Sequence, residues 1–226
     1  MKIIKNLFIM LSVLIIMTGC TNSKNKALKS VEYLEDVKFY NIYLEFLNKD
    51  DSKYTYTYTF DENSQLVERE FSINGIPKNA DFIKFDNDKI IRYYGDILKH
   101  DKIENGYYLN KWNKEELPIT EENKEQYTFL DKNFYIEMIK NGLEYIKDGD
   151  GYVVVVSKDY IQKIVNQLQV EDYQVEKDVR INVTLENNNL SMMQMLYELD
   201  KFKNISIMFQ TEFGEDNIEH LELPEV

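Results

Sequence analysis

Tyr54-Thr55-Tyr56-Thr57-Tyr58-Thr59-Phe60 decides the fold. Aromatic residues and threonines alternate along it without a break, and both types favour a pleated, half-buried surface. Successive side chains of a strand point to opposite faces, so Tyr54, Tyr56, Tyr58 and Phe60 pave one side and the threonines the other. Asp61-Glu62-Asn63-Ser64 then reads as a turn, and Leu66 to Ile73 as the partner strand. On the amino-terminal side, Lys49-Asp50-Asp51-Ser52 is another turn. Before it Tyr40, Ile42, Leu44 and Phe46 share one face of a period-two segment that starts near Val37. Ahead of that, Asn25 to Asp36 reads as a helix, with Leu28, Val31 and Leu34 recurring every third residue.

Downstream, Asn74-Gly75 and Pro77 break the pattern, and Asp81 to Phe85 and Lys89 to Tyr94 form a hairpin around Asp86-Asn87-Asp88. Gly106 to Trp112 is a further strand anchored by Tyr108 and Trp112. The polar stretch around Pro118 and Glu121 to Glu125 reads as a loop with at most one helical turn. Asp131 can cap a helix carrying Phe134, Tyr135, Met138 and Ile139, which Gly142 can end. Leu143 to Lys147 and Tyr152 to Val156 flank the hairpin signal Asp148-Gly149-Asp150-Gly151. Ser157 opens a second amphipathic helix with Ile161, Ile164, Val165 and Leu168. Arg180 to Leu185, Leu190 to Leu199 and Ile205 to Phe213 follow as strands, then a short last strand that ends at Pro224. Long antiparallel strands with a few helices on one face make an α+β fold.

The first residues follow a different logic. Lys2 and Lys5 form a positive start, and Leu7 to Met17 is an apolar run interrupted only by Ser12. A hydrocarbon span needs about 20 apolar residues, so this run has the length of a signal-peptide core. Met17-Thr18-Gly19-Cys20 resembles the bacterial lipobox, in which small residues before the Cys let the chain lie extended in a peptidase groove. The expectation is that residues 1–19 are removed and that Cys20 takes a diacylglyceryl group. Residues 20–26 then form a short polar tether, and residues 27–226 a single domain. An uncleaved anchor from Ile3 to Gly19, or a secretory signal leaving a free thiol, is the competing reading. Lipidation is preferred because Cys20 is the only cysteine and stands where the box requires it. Two acyl chains hold a protein on a bilayer where one is marginal. The expected location is the extracytoplasmic face of the cell membrane, and heavy use of Lys, Asn and Ile points to an AT-rich, Gram-positive source.

The formal net charge is −13 over 226 residues, which argues against nucleic acid or anionic headgroups as direct electrostatic partners. One cysteine permits no internal disulfide, so stability must come from packing. With 43% hydrophobic and 13% aromatic residues, a core is available. His100 and His220 sit in polar settings outside any triad pattern. Asp86-Asn87-Asp88 and Asp148-Gly149-Asp150-Gly151 lack the ligand spacing of a calcium loop and stand where turns are needed. We therefore expect no catalytic residue, no metal ligand and no cofactor. The run Leu190, Met192, Met193, Met195, Leu196, Tyr197 and Leu199 can be plain core. Alternatively Met193, Met195 and Tyr197 can join Tyr54, Tyr56, Tyr58 and Phe60 in lining a hydrophobic ligand cavity, since Met fills irregular space.

The order of elements resembles the LolA-like family of lipoprotein carriers and, within it, the LppX/LprG-like lipoproteins. The resemblance rests on the helix ending near Leu34 that leads directly into paired strands. It also rests on Gly106-Tyr107-Tyr108-Leu109-Asn110-Lys111-Trp112, on the helix–hairpin–helix from Asp131 to Leu168, and on Phe213-Gly214 to Leu223-Pro224. It implies a strongly curved antiparallel sheet, a half-barrel whose concave face is covered by helices and lined with apolar side chains. It further implies a lipid or other hydrophobic ligand held without covalent chemistry. The alternative expectation is an interaction or sensor module with a closed interior that binds an envelope protein.

Overall fold

A computed structural model of the chain describes residues 23–48, 51–99, 108–109, 112–128, 130–167, 174–197, 202–211 and 221–224. Helix α1 (residues 23–32) tightens into a 3-10 turn at Tyr33–Glu35. A meander follows, of β1 (Phe39–Asn48), β2 (Lys53–Asp61), β3 (Leu66–Ile73), β4 (Ile76–Asp86) and β5 (Lys89–Lys99). Two short strands, β6 (Tyr108–Leu109) and β7 (Asn113–Pro118), both pair with β5. Helices α2 (Glu121–Thr128) and α3 (Lys132–Lys140) lead to β8 (Glu144–Asp148) and β9 (Gly151–Val156). Helix α4 (Lys158–Gln167) precedes β10 (Val179–Glu186), β11 (Asn189–Tyr197) and β12 (Phe202–Thr211).

These strands form one 12-stranded sheet in the order β6-β5-β4-β3-β2-β1-β12-β11-β10-β9-β8, with β7 pairing β5 off this path. Every pairing among the described residues is antiparallel. Two meanders are thus joined where the first strand meets the last, with Ile42 opposite Phe209 and Leu44 opposite Ile207. Hairpin turns fall where the backbone can be left-handed. Asn74 and Gly75 have φ of 53° and 73°, and Asn187 and Asn188 of 51° and 67°. Two adjacent residues of that kind are what a two-residue hairpin turn matched to strand twist requires.

Helices cover one face. Asp131 caps α3 by accepting from the backbone N–H of Asn133 at 2.9 Å and of Phe134 at 3.3 Å. Ser157 Oγ accepts from Asp159 N–H at 3.3 Å at the start of α4. Such caps contribute about 1 kcal/mol each. Beneath, Val31 and Leu34, Tyr135 and Ile139 of α3, and Ile161, Ile164 and Val165 of α4 pack on Tyr40, Ile42 and Leu44 of β1 and on the inward residues of β9 and β10. Lys132 is buried at the head of α3. Its ammonium donates to Val37 O at 2.6 Å, Glu62 Oε2 at 2.9 Å and Glu35 O at 3.2 Å, stapling the helix to the entry of β1 and the β2–β3 turn. The opposite face has a small cluster of Phe82, Ile91 and Tyr93, with Trp112 and Leu223 against it.

Several sequence expectations change. The polar stretch before and after Pro118 is structured, as edge strand β7 and the eight-residue helix α2. Strand β7 lacks an apolar face because its charges pair along the surface, Lys114 with Glu116 at 3.1 Å and Lys89 with Glu116 at 3.0 Å. Residues 221–224 are irregular where a final strand is expected. The α+β antiparallel class holds, but the sheet is open and no part of it is strongly curled. The helices pack large side chains over the part of its inner face formed by β1, β9 and β10. Among the described residues no helix is long and apolar enough to cross a membrane.

Candidate functional site

The register places one row of inward positions across the whole sheet. Met193 aligns with Phe209, Ile42, Tyr58, Arg69, Asp81 and Tyr94 in turn. The next row runs Met195, Ile207, Leu44, Tyr56, Phe71 and Asn79. The first row turns polar after β2, at Arg69 and Asp81, and the second after β3, at Asn79. Two hollows open on this polar side.

The larger, about 450 Å³, lies between α2 and the turns that end β2 and β4. Tyr40, Phe60, Leu66, Val67, Phe85 and Ile119 supply its apolar walls, and Asp61, Glu62, Asp86, Lys124 and Asp131 its polar rim. The rings of Tyr40 and Phe60 stack at 4.8 Å with 12° between planes. The Tyr40 hydroxyl accepts from Lys132 N–H at 3.2 Å, and burial pushes its ionisation far above the ordinary phenol range. Asp61 is buried and accepts from the N–H groups of Asn63 and Ser64 at 3.1 Å each, and from Leu221 N–H at 3.3 Å. Burial also raises the Asp131 carboxyl, an effect opposed by its capping hydrogen bonds.

The smaller hollow, about 370 Å³, is lined by Tyr56, Tyr58, Arg69, Glu70, Phe71, Asn79 and Asp81. Arg69 pairs with Asp81 and lies over the Tyr127 ring of α2, 4.9 Å from its centre. Arg92 donates to both Asp81 oxygens at 3.1 Å and lies 4.5 Å over the Tyr94 ring. One carboxylate therefore holds two guanidiniums. The buried Nε of Arg92 has no hydrogen-bond partner. Burial pushes the Tyr58 phenol up to about 12, with Arg69 pulling the other way.

The seven residues expected to line a cavity are dispersed. Tyr56 and Tyr58 line the smaller hollow and Phe60 the larger. Tyr54 is half-buried and packs against the core. Met193 and Met195, each 2% exposed, lie in the core cluster and line neither hollow. Tyr197 aligns with Ile205 on β12, and its side chain lies outside the described residues, as do Met17, Thr18, Gly19, Cys20, His100 and His220. Asp86-Asn87-Asp88 and Asp148-Gly149-Asp150-Gly151 are hairpin turns. Among the described residues no group of three or more His, Cys, Asp or Glu could hold a metal ion.

Sequence reading passed over Arg69, Asp81 and Arg92, although a signal was present. Arg69 falls in phase with Val67 and Phe71, Asp81 with Ile83 and Phe85, and Arg92 with Ile90 and Tyr94. A charge in the apolar phase of three neighbouring strands marks a polar patch on the covered face. No family model matches the chain, and no curated protein sequence matches it either.

Proposed function

We propose that the protein is a membrane-tethered extracytoplasmic binding protein, held by a diacylglyceryl group on Cys20, that takes up a hydrophobic or amphiphilic molecule in its larger hollow. The observation that carries this is a space of about 450 Å³ with six apolar or aromatic walls beneath a helix that buries only Tyr127. Small-molecule sites fall at about 300–1,000 Å³, mostly apolar with a few polar groups that fix orientation. The LolA-like resemblance supports the same reading: an antiparallel sheet with helices on one face, bent around its ligand as a half-barrel when loaded. Helix α2 is the moving part, and no covalent step is involved. The acidic surface keeps the body off anionic lipid while the tether keeps it near the bilayer.

The test has two arms. Gently purified protein should release a lipid on organic extraction, detected by mass spectrometry, and should take up the probe N-phenyl-1-naphthylamine with a rise in fluorescence. Val67→Trp, which fills the hollow, should abolish that rise while the circular dichroism spectrum stays unchanged. Absence of both lipid and probe uptake would defeat the reading. For the tether, Cys20→Ala should move the protein from the membrane fraction to the medium.

A further inference from the structure

We infer that the smaller hollow is a separate site for a neutral carbohydrate, gripping one sugar ring between an aromatic wall and a floor of fixed polar groups. The wall is Tyr56 and Phe71, with Tyr54 stacked against Phe71 outside the lining. Phe71 lies parallel to Tyr54 at 6.1 Å with 6° between planes, and 4.8 Å from Tyr56. All three rings are half-buried on the helix side of the sheet. Flat aromatic surface that is left accessible beside polar groups suits a ligand with one apolar face and a polar edge. A pyranose ring is such a ligand, with axial C–H groups on one face and hydroxyls around its rim.

The floor supplies partners for those hydroxyls. Tyr58 is 6% exposed and lines the hollow, where Arg69 and Asp81 both act on its phenol. Arg69 is held in position by Asp81 and by the Tyr127 ring. Its fork has more N–H groups than one carboxylate oxygen uses. Asn79, exposed at the mouth, offers a donor and an acceptor together.

Charge selects the class. Arg69 and Arg92 both pair with Asp81, and Arg92 also lies 3.7 Å from Glu115, so the surroundings are balanced. An anion entering would meet Asp81 and Glu70, and a cation would meet the two guanidiniums. Desolvating an ion there gains no compensating partner, whereas hydroxyls can both donate to Asp81 and accept from Arg69. The site is distinct from the larger hollow in lining and in chemistry, so each stands or falls alone.

The experiment is titration calorimetry of the full-length soluble protein (Cys20→Ala) with maltotetraose, cellotetraose and chitotetraose, and with tetragalacturonate as the anionic counterpart. At least one neutral oligosaccharide should bind, with saturation-transfer NMR marking its ring C–H protons. Phe71→Ala should weaken binding roughly tenfold, which is 1.4 kcal/mol. Asn79→Ala, at an exposed position where folding is not at stake, should weaken it severalfold. Phe85→Ala, in the other hollow, should leave it unchanged. The inference is overturned if no neutral oligosaccharide binds at millimolar concentration, if tetragalacturonate binds as well as the neutral chains, or if both wall and mouth variants bind like the parent.

Discussion

Met195 and Tyr56 occupy the same ladder row, three strands apart, and have opposite surroundings. Around Met195, the β9–β10 side is roofed by α3 and α4. Ile161, Ile164 and Val165 share one buried cluster with Val154, Val156, Ile181 and Met195. Around Tyr56 the hollow is lined by strand residues, and α2, with the sequence EENKEQYT and one buried residue, reaches this side through its Tyr127 ring over Arg69. The strands on both sides present inward side chains at the same period. The roof decides whether the face beneath is core or hollow, which is why reading strand faces alone assigns Met195 and Tyr56 to one cavity.

The largest effect that tests this contrast is at Met195. Met195→Ala should cost about 3 kcal/mol, within the range for a buried Met, and Tyr56→Ala only about 1 kcal/mol, since its ring is half-buried with an open side. Urea unfolding followed by circular dichroism measures both, and equal losses would erase the distinction between the two sides. Next comes the charge patch. Asp81→Ala leaves Arg69 and Arg92 facing each other without their common partner and should cost about 2 kcal/mol. Replacing Arg69, Asp81 and Arg92 together by Leu should recover most of that, because a whole ion group is more replaceable than part of one.

Alkali supplies a third test. A phenol whose folded-state value lies above its unfolded value contributes stability that is intact below the unfolded value and lost as pH rises through the folded one. For Tyr58 that window runs from 10.0 to about 12, worth about 2–3 kcal/mol at 1.36 kcal/mol per unit. Burial raises Tyr40 and Tyr135 in the same direction. Tyrosinate absorbance should therefore lag the free-phenol curve, with unfolding on the alkaline side, and Tyr58→Phe should reduce the loss over that window without removing it. The smallest expected effect is at the exposed pair Lys163–Glu125, 3.7 Å apart, which links α4 to α2. Lys163→Ala should change stability by less than about 0.5 kcal/mol. A larger change would mean that α2 is clamped and its hollow shut.

Much of this arrangement is legible in the chain itself. The alternation from Tyr54 to Phe60 places β2 and its face, and Asp131 and Ser157 mark the starts of α3 and α4. Strand β7 and helix α2 are illegible for one reason: each is stabilised at a sheet edge or by a single buried ring, so neither carries an apolar period. The candidate hollows share that blind spot. Their aromatic walls are visible as Tyr56, Tyr58 and Phe60, but the guanidiniums and carboxylate among them read as surface charges until strand registers are known. Pairing partners such as Arg69 and Asp81 are a property of the register, which no single strand encodes.

The seam between β1 and β12 has a consequence for how the molecule comes into being. Each meander can zip up from its own hairpins, but the bond between them joins residues 40–48 to residues 202–211, and so waits for almost the whole polypeptide to be available. Contacts that distant in sequence form slowly. Until then β1 shows an unpaired rim carrying Ile42, Leu44 and Phe46, an invitation to mispairing with other chains. The same delay keeps the polypeptide loose enough to be threaded through a translocation pore, so the export proposed for it and the late closure of its middle are well matched.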